Sequence, residues 1–162
     1  MIGIRSTTVA DAAAIDQMLR ALAESQGQAE KYHGSSAALA HFGFGSEPAF
    51  HARLATDGDQ AVGMVLYFWE FSTWRAQRGV YIQDLFVNPQ QRGTGLATRL
   101  LVEAAEHGRE VDAAYLRLAL DHANLRAARF YQRLGFKGVE EDCMMLLQGE
   151  AYRALRREAV SC

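Results

Sequence analysis

The chain has 162 residues, 49% of them apolar, with 17 lysine and arginine residues against 19 aspartate and glutamate. That length and apolar share suit one globular domain, residues 1–162, with a sizeable core. A formal net charge of −2 gives none of the basic excess that marks nucleic-acid binding, and no apolar run approaches the roughly 18 residues that span a bilayer.

Residues 2–5 read as a short strand, and Thr7 or Thr8 with Asp11 supplies the start signals of a helix over 9–24. Ile15, Met18, Leu19 and Leu22 recur there at helical spacing and predict one buried face. Residues 25–28 break the pattern before a short helix over 36–42 and a glycine-rich turn at 43–45. Residues 50–56 and 61–71 read as antiparallel strands joined by Asp57-Gly58-Asp59, and a third strand runs over 80–87. A glycine turn follows, then a helix burying Leu96, Leu100, Leu101, Ala104 and Ala105. A strand over 115–120, a helix over 124–134 stopped by Gly135, a strand over 144–147 and a charged helix near 150–158 complete the chain. Strands crowd the middle with helices between them, an α/β unit without repeats or linkers.

The most informative stretch runs from Val87 to Leu101. A β-branched and aromatic strand stops at Asn88-Pro89, and Gly93 and Gly95 then punctuate the turn into an amphipathic helix. Glycines there remove Cβ atoms that would keep a ligand from the backbone, so N–H groups at a helix N-terminus can receive a phosphate or pyrophosphate. A P-loop is excluded by spacing and by the missing lysine; a dinucleotide fingerprint lacks its third glycine, since Thr98 stands there. The form Gln90-x-x-Gly93-x-Gly95 remains, beside the reading of a purely structural turn.

The five histidines (33, 41, 51, 107 and 122) and the two cysteines, Cys143 and Cys162, show no ligand spacing, so no metal is expected. Free thiols and an N-terminal stretch without a signal-peptide layout predict a cytoplasmic protein.

Downstream of the turn lies Asn124-x-x-Ala127-x-x-Phe130-Tyr131-x-x-x-Gly135-Phe136. With the glycine turn, in this order, the chain resembles the GNAT family of N-acetyltransferases. Phe71-Ser72-Thr73-Trp74, the segment from Tyr81 to Val87, and Gln148-Gly149-Glu150-Ala151 are similar to its diamine acetyltransferase branch, nearest to the thialysine N-epsilon-acetyltransferase type. The resemblance implies a central mixed, mostly antiparallel sheet flanked by helices and splayed at the strand that meets acetyl-CoA. It further implies acetyl-CoA as co-substrate, a small-molecule amine as acceptor, and a homodimer that shares or exchanges its last strand.

The same resemblance assigns residues. Leu85, Phe86 and Val87, near an expected bulge, would hold the pantetheine arm, and Arg92, Gly93, Thr94, Gly95, Leu96, Ala97 and Thr98 the pyrophosphate, with Asn124 and Ala127 also on the cofactor. Asn124 is equally good as a helix cap. Arg92 is the arginine best placed for phosphate; Arg99, Arg126 and Arg129 suit solvated helix faces. Tyr131 would be the general acid that protonates the leaving thiolate, against the plainer reading of a core tyrosine. Gln26, Trp74, Gln83, Asp84 and Glu140 would face the amine. Here the chain departs from its branch: Gln83 and Gln26 stand where carboxylates are expected, and Ser25 stands where an aromatic is. Each lost charge weakens a cation's attraction by about 1 kcal/mol or more, which argues against a polyamine and for a smaller amine. Gln83 cannot serve as a base, which leaves Asp84 or water. A non-catalytic acyl-CoA sensor, or an enzyme acetylating peptides, is the alternative.

Overall fold

The computed structural model describes residues 1–138, 147–150 and 153. Met1–Ala119 forms one compact unit and Leu120–Cys162 another.

The first unit is built on a five-stranded sheet in the order β1 (Gly3–Ser6), β2 (His51–Asp57), β3 (Gln60–Ser72), β4 (Gln77–Val87) and β5 (Ala113–Leu118). Neighbouring strands are antiparallel except β4 and β5, which run parallel. A parallel pair needs a crossover, and α3 (Leu96–Gly108) supplies it. Two further helices, α1 (Ala12–Ser25) and α2 (Ser36–Gly43), lie between β1 and β2 in sequence. This is the α/β architecture expected from the sequence.

The sheet has two faces because side chains alternate along a strand. On one face Ile15 and Leu19 of α1 pack with Ala52, Leu54, Met64 and Leu66. On the other, Leu96, Leu100, Leu101 and Ala104 of α3 are buried, and a Cβ on Gly63 would stand 3.3 Å from Leu100 Cδ1. Tyr67 belongs to this second face, where its phenol bonds His107 Nδ1 of α3 at 2.8 Å.

Several boundaries differ from the sequence reading. The helix foreseen from Val9 opens as a 3₁₀ turn, Val9–Asp11, and α1 proper starts at Ala12. Asp11 fixes that turn: it accepts from the Thr8 N–H at 2.8 Å and from both Arg5 guanidinium nitrogens at 2.9 and 2.6 Å. Strand β4 begins at Gln77, three residues before the expected start, because its ladder with β3 continues to the Ser72–Gln77 pair. Strand β5 also lies earlier than expected, at Ala113–Leu118 in place of 115–120. Ala105, expected to be buried, is exposed; the apolar stripe of α3 runs through Ala104 to Gly108 instead.

In the second unit, α4 (Leu125–Arg133) is capped by Asn124, whose side-chain oxygen accepts from the Ala127 N–H at 3.1 Å. Gly135 ends it in the left-handed region at φ +93°, with the Phe136 N–H returning to the Tyr131 carbonyl. The strand expected over 144–147 falls, except for Leu147, outside the described residues, as does most of the charged helix expected near 150–158.

Candidate active site

Strand β4 changes face in its middle. Tyr81 opposes Phe68 and Ile82 opposes Tyr67, but the next pair is Leu66 with Asp84, so Gln83 is the extra residue of a β-bulge. The bulge lies at Gln83, ahead of the position expected near 85–87. Without it, Asp84 would share the α3 face with Ile82. With it, Asp84 shares the α1 face with its cross-strand partner Leu66, and Phe86 follows on that face opposite Met64. Pairing of β4 with β5 reaches Ile82–Leu118 and goes no further among the described residues. Beyond it every second N–H and C=O of residues 83–87 points away from β3, toward the side on which β5 has ended.

Asp84 is partly buried, and no hydrogen bond to its carboxylate occurs among the described residues. Burial pushes its pKa up to about 6, from an ordinary value near 3.8. A carboxylate held there is ionised at neutral pH and still basic enough to take a proton. Two residues not singled out in the sequence lie on the same face. Tyr32 packs against the Ile15–Leu66 cluster, and its phenol donates to Asp16 Oδ1 of α1 at 2.8 Å. Their only sequence signal is the Asp16–Arg20 spacing of four, which the structure closes as an ion pair at 3.3 Å.

The glycine turn follows directly. Asn88 receives the Gln90 N–H at 3.2 Å and opens the 3₁₀ turn Pro89–Gln91, and the chain leaves it through exposed Arg92. Gly93 and Gly95 are both left-handed, at φ +82° and +81°, and a Cβ on either would meet nothing within 4 Å. The first bonded amide of the helix is that of Arg99, to Gly95 O at 3.1 Å. The six N–H groups of residues 93–98 therefore have no partner among the described residues. The Thr94 hydroxyl is committed to Gln91 O at 2.7 Å, leaving that residue its backbone donor. Leu96 is buried and contributes side chain to the core and amide to the turn. Arg99 is tied to Ile2 O at 3.0 Å, in keeping with a face away from a ligand.

Within the second unit, Tyr131 is half-buried, its ring 5.0 Å from Phe130 and 5.3 Å from Phe136, and burial raises its phenol to about 12. A phenol with that value keeps its proton at neutral pH. Gln26 is the exposed C-terminal cap of α1, and Gln83 is exposed at the bulge. Trp74 is 99% exposed in the β3–β4 turn. Six residues of strand separate Leu66 from Ser72, about 20 Å, so within one chain Trp74 stands apart from Asp84. Glu140 lies outside the described residues. Among those residues no group of three or more histidine, cysteine, aspartate or glutamate side chains converges to hold a metal, and no helix is long and apolar enough to cross a membrane.

The model of the acetyltransferase (GNAT) family matches residues 15–136. The thialysine N-epsilon-acetyltransferase of Mus musculus is 34% identical over 163 residues, covering 94% of this chain and 95% of the relative; that of Bos taurus is 32% identical over the same shares. Among solved structures, an integron cassette protein from the mobile metagenome of V. cholerae superposes with a TM-score of 0.78 at 19% identity, covering 96% of this chain and 98% of that one. The chain belongs to the GNAT family and is an enzyme that acetylates amines.

Proposed function

We propose that this enzyme transfers an acetyl group from acetyl-CoA to the amine of a small molecule of the thialysine, lysine-analogue or diamine class. The observation that carries the reading is the run of six amides at 93–98 without a partner among the described residues, entered through two left-handed glycines. That donor set fits a pyrophosphate: outward N–H groups, the positive end of a 13-residue helix, no Cβ in the approach, and Arg92 alongside. Leu85, Phe86 and Val87 fit an extended pantetheine arm along the stretch of β4 whose outer edge has no partner strand among the described residues, and Asn124 and Ala127 are the cofactor contacts proposed for the second unit. The coenzyme supplies the activated acetyl thioester.

Asp84 receives the protonated amine and takes its proton, a role its raised pKa suits and one that Gln83 cannot fill. An N–H on the free edge of residues 85–87 hydrogen-bonds the carbonyl oxygen as charge develops on it. Tyr131 holds the proton that the leaving sulfur requires. A single N-acetyltransferase domain over residues 1–162 is the reading supported by the family match over residues 15–136. The small-molecule class is supported by relatives named for thialysine over 94% of this chain. We further assign a cytoplasmic homodimer, with Trp74 and Glu140 toward the amine; light scattering tests the dimer.

Thiol release with acetyl-CoA, measured across thialysine, lysine, diamines, polyamines and N-terminal peptides, tests the reading. Turnover is expected with thialysine or a short diamine. Binding of the coenzyme without thiol release from any amine would make the chain a sensor, and turnover with peptides alone would overturn the substrate class.

A further inference from the structure

With glutamines at positions 26 and 83, Asp84 is the one predicted carboxylate on β4, yet the structure brings a second oxygen to its face. Tyr32 packs on the cluster that contains Leu66, the cross-strand partner of Asp84, and the Asp84 charge is near enough to help hold the phenol in its protonated form. The single phenolic proton is committed to Asp16 Oδ1 at 2.8 Å. Arg20 closes on the other Asp16 oxygen at 3.3 Å, reaches Gly34 O at 3.2 Å and lies 5.1 Å from the centre of the Tyr32 ring.

Two consequences follow. The Tyr32 oxygen has no proton left to give and keeps only its acceptor capacity. The Asp16 charge is matched by Arg20, so Asp84 is the unmatched charge of the group. What remains is a corner that accepts hydrogen bonds and carries one negative charge, the complement of an ammonium.

We propose that Tyr32 is a specificity-determining residue of this acetyltransferase: its oxygen, kept an acceptor by Asp16, takes one N–H of the acceptor's ammonium while Asp84 supplies the counter-charge. The inference rests on the acetyltransferase reading given above. It places recognition of the amine on α1 and the segment after it, in place of the charges replaced by Gln26 and Gln83.

Steady-state thiol release with thialysine and with 1,3-diaminopropane tests it. Tyr32→Phe, which removes only the oxygen, is expected to raise the amine KM about tenfold, with kcat within about threefold and the acetyl-CoA KM unchanged. Asp16→Asn still offers a carbonyl to the phenol while leaving Arg20 unmatched, and is expected to raise the amine KM less than Asp16→Ala does. Asp16→Ala leaves the phenolic proton without its acceptor, so the oxygen offers a donor as well as an acceptor to the ammonium: the amine KM is expected to rise about tenfold, with the acetyl-CoA KM unchanged. An amine KM unchanged in Tyr32→Phe, or an acetyl-CoA KM that rises in parallel, overturns the inference while leaving the acetyltransferase reading in place. No thiol release by the wild type with any amine overturns both. Should Tyr32→Phe fail to fold, the two Asp16 variants decide: an amine KM unchanged from the wild type in both overturns the proposal.

Discussion

Asp84 is an ionisable group placed where the fold disfavours its charge. Burial lifts its pKa from about 3.8 to about 6, so the ionised form present at pH 7.5 costs the native state at most about 3 kcal/mol. Asp84→Asn is isosteric and carries no charge. It is expected to raise the melting temperature at pH 7.5 by about 3–8 °C and to lower kcat/KM at least about 100-fold; calorimetry and thiol release read the two effects separately. A melting temperature unchanged or lowered would mean that the carboxylate is solvated. Tyr131 gives the second residue-scale test. Tyr131→Phe removes the proton and keeps the ring that packs on Phe130 and Phe136, so kcat is expected to fall about 100-fold with acetyl-CoA affinity within about twofold. Turnover near wild type across pH would assign the proton to another donor. Asp84 and Tyr131 stand out as candidates in the sequence because each sits in a motif. Tyr32 and Asp16 do not: neither lies in a motif, and a phenol 16 residues from its carboxylate partner becomes meaningful only when the chain after α1 folds back.

At the scale of elements, the glycine turn and β4 show what patterning can and cannot carry. The strand-to-helix switch was readable from Asn88-Pro89, two glycines and an apolar period of 3.6, and the structure places the helix start at Leu96. The bulge was unreadable. Val80, Ile82, Asp84 and Phe86 alternate without interruption, so period 2 assigns them one face, and only the pairing with β3 reveals that Gln83 shifts the last two. The same cause explains the early start of β4, since a hairpin extends as far as its ladder allows whatever the composition of residues 77–79. For the turn, Gly93→Val is the decisive variant. Its φ of +82° is strained for a β-branched residue, and the added carbons point into the open approach to the amides. Calorimetric affinity for acetyl-CoA is expected to fall at least about 30-fold, with thermal stability lowered by about 1–3 kcal/mol. Undiminished affinity would remove the turn from the cofactor site.

Across the whole molecule, acid titration sets opposing groups against one another. His51 and His107 meet on the α3 face with rings 5.0 Å apart, beside Trp69 and Tyr67. Burial lowers both pKa values; the His107 charge lowers that of His51 further, Arg53 lowers both, and Glu110 opposes. A histidine with a lowered native pKa stabilises the fold fully above its unfolded value near 6.5, and that stability is lost as pH falls below it. Asp84 acts in the opposite sense, because its native state binds the proton more tightly and gains stability as pH falls from about 6 toward 4. Asp11, held at about 2 by Arg5, loses its contribution only as pH falls below about 4. Between pH 6.5 and 4.5 the wild type is therefore expected to show a shallow dependence, the histidine loss being partly offset by Asp84. In Asp84→Asn the offset is gone, and the melting temperature is expected to fall more steeply over that range. Adding His51→Phe, which keeps a ring against Trp69, is expected to flatten the curve again. Melting curves of the three proteins at half-unit pH steps check this; parallel curves would show that burial of these groups does not govern the acid stability of the fold.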